Sequence, residues 1–296
     1  MNGSGVIDRP RRVLPSDDRV LCNDAGMTAR PAHFVQTAAN TFLPTPNARS
    51  RWGADQLNGP ALVGLAARTI EDEFGLDGFM PARLTVDLFK AARGLPTTAT
   101  ARLVRDGRRV RNSECDLIQG GVTVARATLV QYRRSSAPRG DEWSATMDLP
   151  LPTDVDDASY LRVGSDEGGW SPNIADHRNT SRKRFLNRAI DVVEGSVNSP
   201  LVNAVYAAEG TSLVANLGTA GIGYINGDLT VALARLPVDA WICVQADSHW
   251  VADGISTGAA TLYDRVGAFG TGLITAISNP AAQIDFADDG AVAGSL

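Results

Sequence analysis

The strongest constraint on this chain is that it is written twice. The segments RLTVDLFKAAR (83–93) and DLTVALARLP (228–237) share Leu-Thr-Val in one register, with Leu84 and Leu229 145 residues apart. Val104, Asp106 and Gly107 recur as Val251, Asp253 and Gly254 at an offset of 147, and Gly121 recurs as Gly267 at 146. Upstream, Pro60 and Pro200 each open an apolar run. An offset that persists through several elements marks a duplicated unit. Within the repeat, Leu229, Val231 and Leu233 fall on one side and Asp228, Thr230, Ala232 and Ala234 on the other, the period of a strand with one buried face. This strand is expected to be central.

Around it each unit reads as a helix, a long strand and a meander. Asn58–Glu73 is the first helix, with Asn58 as cap, Pro60 in the first turn and Leu62, Leu65, Ala66 and Ile70 on one face. His33–Leu43 precedes it as a strand. After the long strand Arg83–Arg93 come Thr97–Arg105, Arg109–Ile118 and Val122–Tyr132, separated by the hairpin dipeptides Asp106-Gly107 and Gly120-Gly121. The second unit repeats the plan: strand Arg184–Val193, helix Ser199–Leu213, then strands Leu229–Leu236, Ala240–Trp250, Ile255–Tyr263 and Ala268–Ile277. The Ser-, Pro-, Asp- and Gly-rich stretch between reads as a connection. The expected division is a leader at 1–27, an N-terminal unit at 28–134, a linker at 135–169, a C-terminal unit at 170–284 and a tail at 285–296, the chain after Asn279 being loosely held. Such a helix and meander bury their apolar faces best when the sheet wraps the helix, and two copies would join edge to edge about a pseudo-twofold. The expected class is α+β.

Composition removes several functions. No run of about 18 apolar residues is present to span a membrane, and the first twenty residues lack the apolar core of a secretion signal. Cys22, Cys115 and Cys243 lie far apart with no CxxC pairing, which suits free thiols and a cytoplasmic location. Residues 1–148 hold 20 Lys and Arg against 16 Asp and Glu, and residues 149–296 hold 8 against 17, a balance that argues against nucleic acid as a partner. The basic cluster Arg102, Arg105, Arg108, Arg109 and Arg111 is a solvated sheet edge or a phosphate contact. Gly254-Ile-Ser256-Thr-Gly258 matches the serine-hydrolase elbow, but His33, His177 and His249 all precede Ser256, so Ser256 reads as a strand residue. Gly218–Gly223 lacks the spacing of a dinucleotide loop. His249, close to Asp247, lacks companions for a metal site and reads as a hydrogen-bonded histidine.

The repeat RLTVDLFKAAR, the segment VRDGRRVRNSECDLIQGGVTVARATLVQY and the second-half YINGDLTVALARLPVDAWI resemble the acyl-CoA thioesterase-like family of double-hotdog proteins over residues 28–284. The bacterial type II acyl-CoA thioesterases, in an actinobacterial variant, are similar. The resemblance implies two tandem hotdog units, each a long helix wrapped by an antiparallel sheet, and hydrolysis of fatty or related acyl-CoA to free acid and CoA without cofactor or metal. In that family an Asp on the second helix, a Thr before the long strand and a Gln in the last strand hold the attacking water. Those positions fall here on Glu209, Asn226 and Thr275, none identical. Burial would raise the Glu209 carboxyl toward neutrality, and backbone N–H groups at Asn58–Ala61 or Asn198–Leu201 would serve the oxyanion. Asn58, Gly59, Ser199 and Asp228 are the expected substrate contacts, and a homo-oligomer is compatible. The alternative reading is a non-catalytic acyl-CoA or acyl-lipid binding protein, in which the three substitutions mark lost hydrolysis.

Overall fold

The structure, a computed structural model, describes residues 30–145, 149, 151–152 and 160–286; the leader at 1–27 and the tail beyond Phe286 lie outside the described residues. The first half runs β1 (Ala32–Ala38), β2 (Thr41–Pro44), α1 (Gly59–Phe74), β3 (Phe79–Leu88), β4 (Thr97–Asp106), β5 (Val110–Gln119) and β6 (Val122–Arg133). The second runs β7 (Leu161–Ser165), β8 (Gly169–Ser171), β9 (Lys183–Arg188), β10 (Asp191–Val193), α2 (Pro200–Glu209) and α3 (Thr211–Asn216). It continues through the short strands β11 (Leu217–Gly218), β12 (Gly221–Ile222) and β13 (Tyr224–Asn226) to β14 (Asp228–Leu233), β15 (Trp241–Ala252), β16 (Ile255–Asp264) and β17 (Gly267–Ser278).

One sheet carries both halves, in the order β10-β1-β2-β4-β5-β6-β3-β14-β17-β16-β15-β9-β7-β8, with β13 also on β17. Outward from the β3–β14 junction the halves repeat each other, β3-β6-β5-β4 on one side and β14-β17-β16-β15 on the other. Thr85 and Thr230, the residues that the 145-residue offset equates, are register partners in that junction, flanked by Leu84 opposite Val231 and Val86 opposite Leu229. The axis exchanging the halves therefore passes between the two threonines. The four flanking side chains are at most 1% exposed, so the core is continuous across the seam.

Turn chemistry sets the meanders. Gly120 and Gly121, at φ +55° and +79°, turn β5 into β6, and Asp253 and Gly254, at φ +50° and +76°, turn β15 into β16, both in the left-handed region that tight hairpins demand. α1 packs against β4, β5 and β6 on one side and against α2 on the other, which is why Pro60–Ala67 are buried without a break. Gly64 permits the approach of β10, since a Cβ there would lie 2.7 Å from Val192 Cγ2. At the far end of α1, Arg111 Nη1 donates to the Phe74 carbonyl at 2.9 Å, and its Nε pairs with Asp106 at 2.9 Å. A cation at a helix C-terminus is attracted to the negative end of the dipole there. Arg111 thus belongs to the scaffold, and Arg102 pairs with Glu114 across β4 and β5.

Four local expectations are corrected. His33–Leu43 is two strands, because the chain turns at Ala39-Asn40 and pairs β1 with β2. The helix expected over Ser199–Leu213 divides at Gly210, which lies on Phe185; a Cβ there would come within 2.7 Å of Phe185 Cδ1 and 2.9 Å of the Ala207 carbonyl oxygen. The stretch read as linker contains β7, which pairs with β9. The described residues after Asn279, 280–286, are built in: Ile284 exchanges both backbone hydrogen bonds with Ile222, and Phe286 is 1% exposed.

Leu84→Ala and Leu229→Ala should each lower stability by about 2–5 kcal/mol, in one cooperative unfolding transition because the seam belongs to both halves. Separate transitions for the two halves, by calorimetry or denaturant titration, would contradict a shared core.

Candidate active site

The start of α1 is fixed by a single side chain. Asn58, 2% exposed, accepts the Ala61 N–H on Oδ1 at 2.9 Å, while its Nδ2 donates to the carbonyls of Asn47 at 3.0 Å and Arg49 at 3.3 Å. Its own N–H donates to the Ala48 carbonyl at 2.8 Å. Asn58 is therefore both the helix cap and the tie for the loop running from β2. With Ala61 committed and Pro60 lacking an N–H, Gly59 is left, among the described residues, with a first-turn N–H that has no hydrogen-bond partner. Its dipole adds to the positive end of the helix.

The end of α2 meets this point. Because Gly210 stops the helix, Glu209 is its last residue, and its carboxyl rests directly against Gly59: a Cβ on Gly59 would overlap Oε1 and lie 2.6 Å from Cδ. Only glycine fits. Asn226, at the end of β13, donates from Nδ2 to Glu209 Oε1 at 3.3 Å, and its own Oδ1 is buried with no partner among the described residues. The carboxyl borders a cavity of about 70 Å³ whose wall includes Arg51, Trp52, Leu213, Ile222, Ile284 and Phe286.

Burial pushes the Glu209 carboxyl up to about 8, with the Asn226 hydrogen bond acting in the opposite sense. The negative end of its own helix also favours the protonated form, whereas the positive end of α1 favours the charged one. The group therefore exchanges its proton near neutral pH, as a general base must. One turn earlier, Tyr206 lies 5.6 Å from His33, ring to ring, and burial raises its phenol. His33 is held down to about 4 by burial and its Nδ1 faces the Asn47 carbonyl at 3.0 Å, so it is neutral and structural.

The remaining expected site residues lie elsewhere. Thr275 is exposed on the outer face of β17 because alternation turns Ile274 inward, and it bonds through both N–H and hydroxyl to the Asp228 carboxylate. Neither Thr275 nor Asp228 reaches Glu209. Ser199 caps α2, accepting the Val202 N–H at 3.2 Å, and its hydroxyl donates to Glu71 rather than to an open cavity. Ser256 does have a histidine beside it, His249 Nε2 at 3.1 Å, but it is fully buried at the start of β16 and donates to Asn216 Oδ1 at 2.7 Å, which leaves no exposed nucleophile. His249 and Asn216 border a second, wider cleft of about 500 Å³ between α3 and β15. Arg51, Trp52 and Phe286 had no local signal in the sequence, since only the fold brings them to Glu209.

A single sheet wrapped around the helices of two equivalent units, with a buried carboxyl where the helices meet, is a double hotdog. The chain belongs to the acyl-CoA thioesterase family: residues 48–132 match the acyl-CoA thioesterase N-terminal domain and residues 131–273 the C-terminal domain. Among solved structures, a thioesterase II candidate from Thermobifida fusca is similar, with a TM-score of 0.63 at 18% identity over 83% of this chain and 95% of that one. An acyl-CoA thioesterase II from Mycobacterium marinum gives 0.59 at 12% identity over 84% and 96%. A hot dog protein of unknown function from Alicyclobacillus acidocaldarius gives 0.62 at 15% over 84% and 97%. At these identities the likeness is one of fold. A comparison with curated proteins returned no match.

A carboxyl that titrates near 4.3 unfolded and at about 8 folded makes stability depend on pH. Between those values the folded chain keeps a proton that the unfolded chain has released, so stability falls as pH rises through the window. Urea midpoints at pH 5 and pH 8.5 should therefore show the wild type losing stability relative to Glu209→Gln. An unchanged difference between the two proteins would mean an ordinary carboxyl.

Proposed function

We propose that the protein hydrolyses acyl-CoA thioesters, with Glu209 as the base that activates water. The observation that carries this reading is the Glu209 carboxyl lodged against Gly59, beside a helix N–H with no partner among the described residues. A water bound between Glu209 and the thioester would lose a proton to the carboxylate as its oxygen bonds to the acyl carbon. The carbonyl oxygen, gaining negative charge, is met by the Gly59 N–H and the positive end of α1. Collapse breaks the carbon–sulfur bond, and the proton on Glu209 passes to the departing CoA sulfur. Thioester and water become carboxylic acid and thiol, with the base restored.

Asn226 has the second role. Its Nδ2 holds one Glu209 oxygen at 3.3 Å, which steers the other toward water, and its unpartnered Oδ1 offers an acceptor for that water's second hydrogen. Asn226 thus supplies the polar group that the related type II enzymes draw from Thr. Thr275 takes no part, being bound to Asp228 on the opposite face of the sheet. The alternative of binding without turnover gains nothing from an elevated carboxyl beside a free donor.

CoA release from a series of acyl-CoAs should follow pH with a midpoint near the folded carboxyl's value of about 8, rising toward alkaline pH as the base ionises. Glu209→Gln should lower kcat by about 10²–10⁴-fold, and Gly59→Ala should lower it comparably by displacing the carboxylate. Full activity in Glu209→Gln would remove this residue from the chemistry; acyl-CoA binding with no turnover in the wild type would favour the binding protein.

A further inference from the structure

We propose that Phe286 and the tail segment carrying it set the acyl length that the site accepts, restricting it to short acyl groups. The inference rests on the thioesterase reading for the position of the acyl chain beside Glu209. The cavity there is lined by the polar Ser50, Arg51 and Ser212 and the apolar Leu213, Ile222, Ile284 and Phe286, and an acyl chain belongs against the apolar residues.

The cavity is small: its volume of about 70 Å³ is roughly half that of the cavity of about 150 Å³ that holds one benzene, so it takes a group of two or three carbons and not a long chain. Phe286, 1% exposed, is part of the cavity wall, with the guanidinium of Arg51, another wall residue, 5.2 Å over its ring.

The wall is held in place by the backbone. Ile222 N–H donates to the Ile284 carbonyl at 3.0 Å, Ile284 N–H returns the bond at 2.9 Å, and Gln283 Nε2 donates to the Ala220 carbonyl at 2.8 Å. Asp285 adds an ion pair with Arg178. This strap lies so close to β12 because residue 221 is glycine, at φ +91°: a Cβ there would lie 3.0 Å from the Ile284 carbonyl carbon. A longer acyl chain must displace a ring whose three preceding residues are tied down, which lowers its binding at the transition state and so its kcat/KM.

The test compares acetyl-, butyryl-, octanoyl- and palmitoyl-CoA as substrates of the wild type, Phe286→Ala and Phe286→Leu, the leucine variant keeping the core filled should the alanine variant fail to fold. The wild type should prefer the shortest chains, and Phe286→Ala should raise the octanoyl-to-acetyl ratio of kcat/KM at least tenfold, about what a few methylenes are worth in an apolar pocket; Phe286→Leu should raise it less. An unchanged ratio in both variants, or a wild type that prefers palmitoyl-CoA, overturns the proposal. Thermal stabilisation by S-alkyl-CoA thioethers of the same lengths reads the limit without chemistry. A limit relaxed in the variants with no turnover by any form would retain the role of Phe286 and refute hydrolysis alone; stabilisation by no thioether in any form would overturn the proposal.

Discussion

The pairing of β3 with β14 is the contact on which the rest of the molecule depends. It joins two sheets that each have an exposed edge in isolation, and it fixes the orientation of the helices lying inside them. With Thr85 against Thr230 the two halves are placed about one axis, and the buried quartet Leu84, Val86, Leu229 and Val231 makes that placement part of the core. A one-residue slip of either strand would turn its own pair of the four outward. Once the register is set, α1 and α2 have to pack on each other, and the last residue of α2 arrives at the first residue of α1.

At that meeting point, two copies of one plan make something neither makes alone. The first copy contributes a capped helix start with a Gly59 N–H that has no partner among the described residues, and the second contributes a carboxyl and an amide. The copies have diverged in what they put at the seam. Glu209 faces Gly59 and a cavity, whereas Glu71, raised by burial, is bonded to the α2 cap Ser199 and stabilises a helix start. The outer faces have diverged as well: Arg126 and Asp116 pair on the first, while Leu273, Ile255 and Ile277 stand on the second.

Much of the scaffold was legible in the sequence because its signals are local. Period-two alternation located the strands of both meanders, the hairpin dipeptides located their turns, and Asn58-Gly-Pro60 located the start of α1. The duplication then implied the seam, since equivalent strands with one buried face can meet about a twofold. What escaped depends on contacts distant in sequence. Gly210, at the end of α2, has to be glycine because Phe185 leaves no space for a side chain, and Gly221 admits the tail because Ile284 lies against it. Both look like ordinary connector glycines in the sequence. Thr275 was placed at the site by correspondence with related proteins, but strand alternation turns it outward and gives the inner face to Ile274. Glu209 and Asn226 were legible as polar groups in the right elements; that they touch, and that Gly59 is their third member, required the fold.

The central claim is that burial at this seam turns an ordinary glutamate into a base that works near neutrality. Carbon-13 NMR of the side-chain carboxyls, with Glu209 assigned by its loss in Glu209→Gln, follows that proton directly and independently of any substrate. The account predicts a Glu209 resonance that titrates with a midpoint near 8. A midpoint near 4.3, the value of a solvated glutamate, would contradict it.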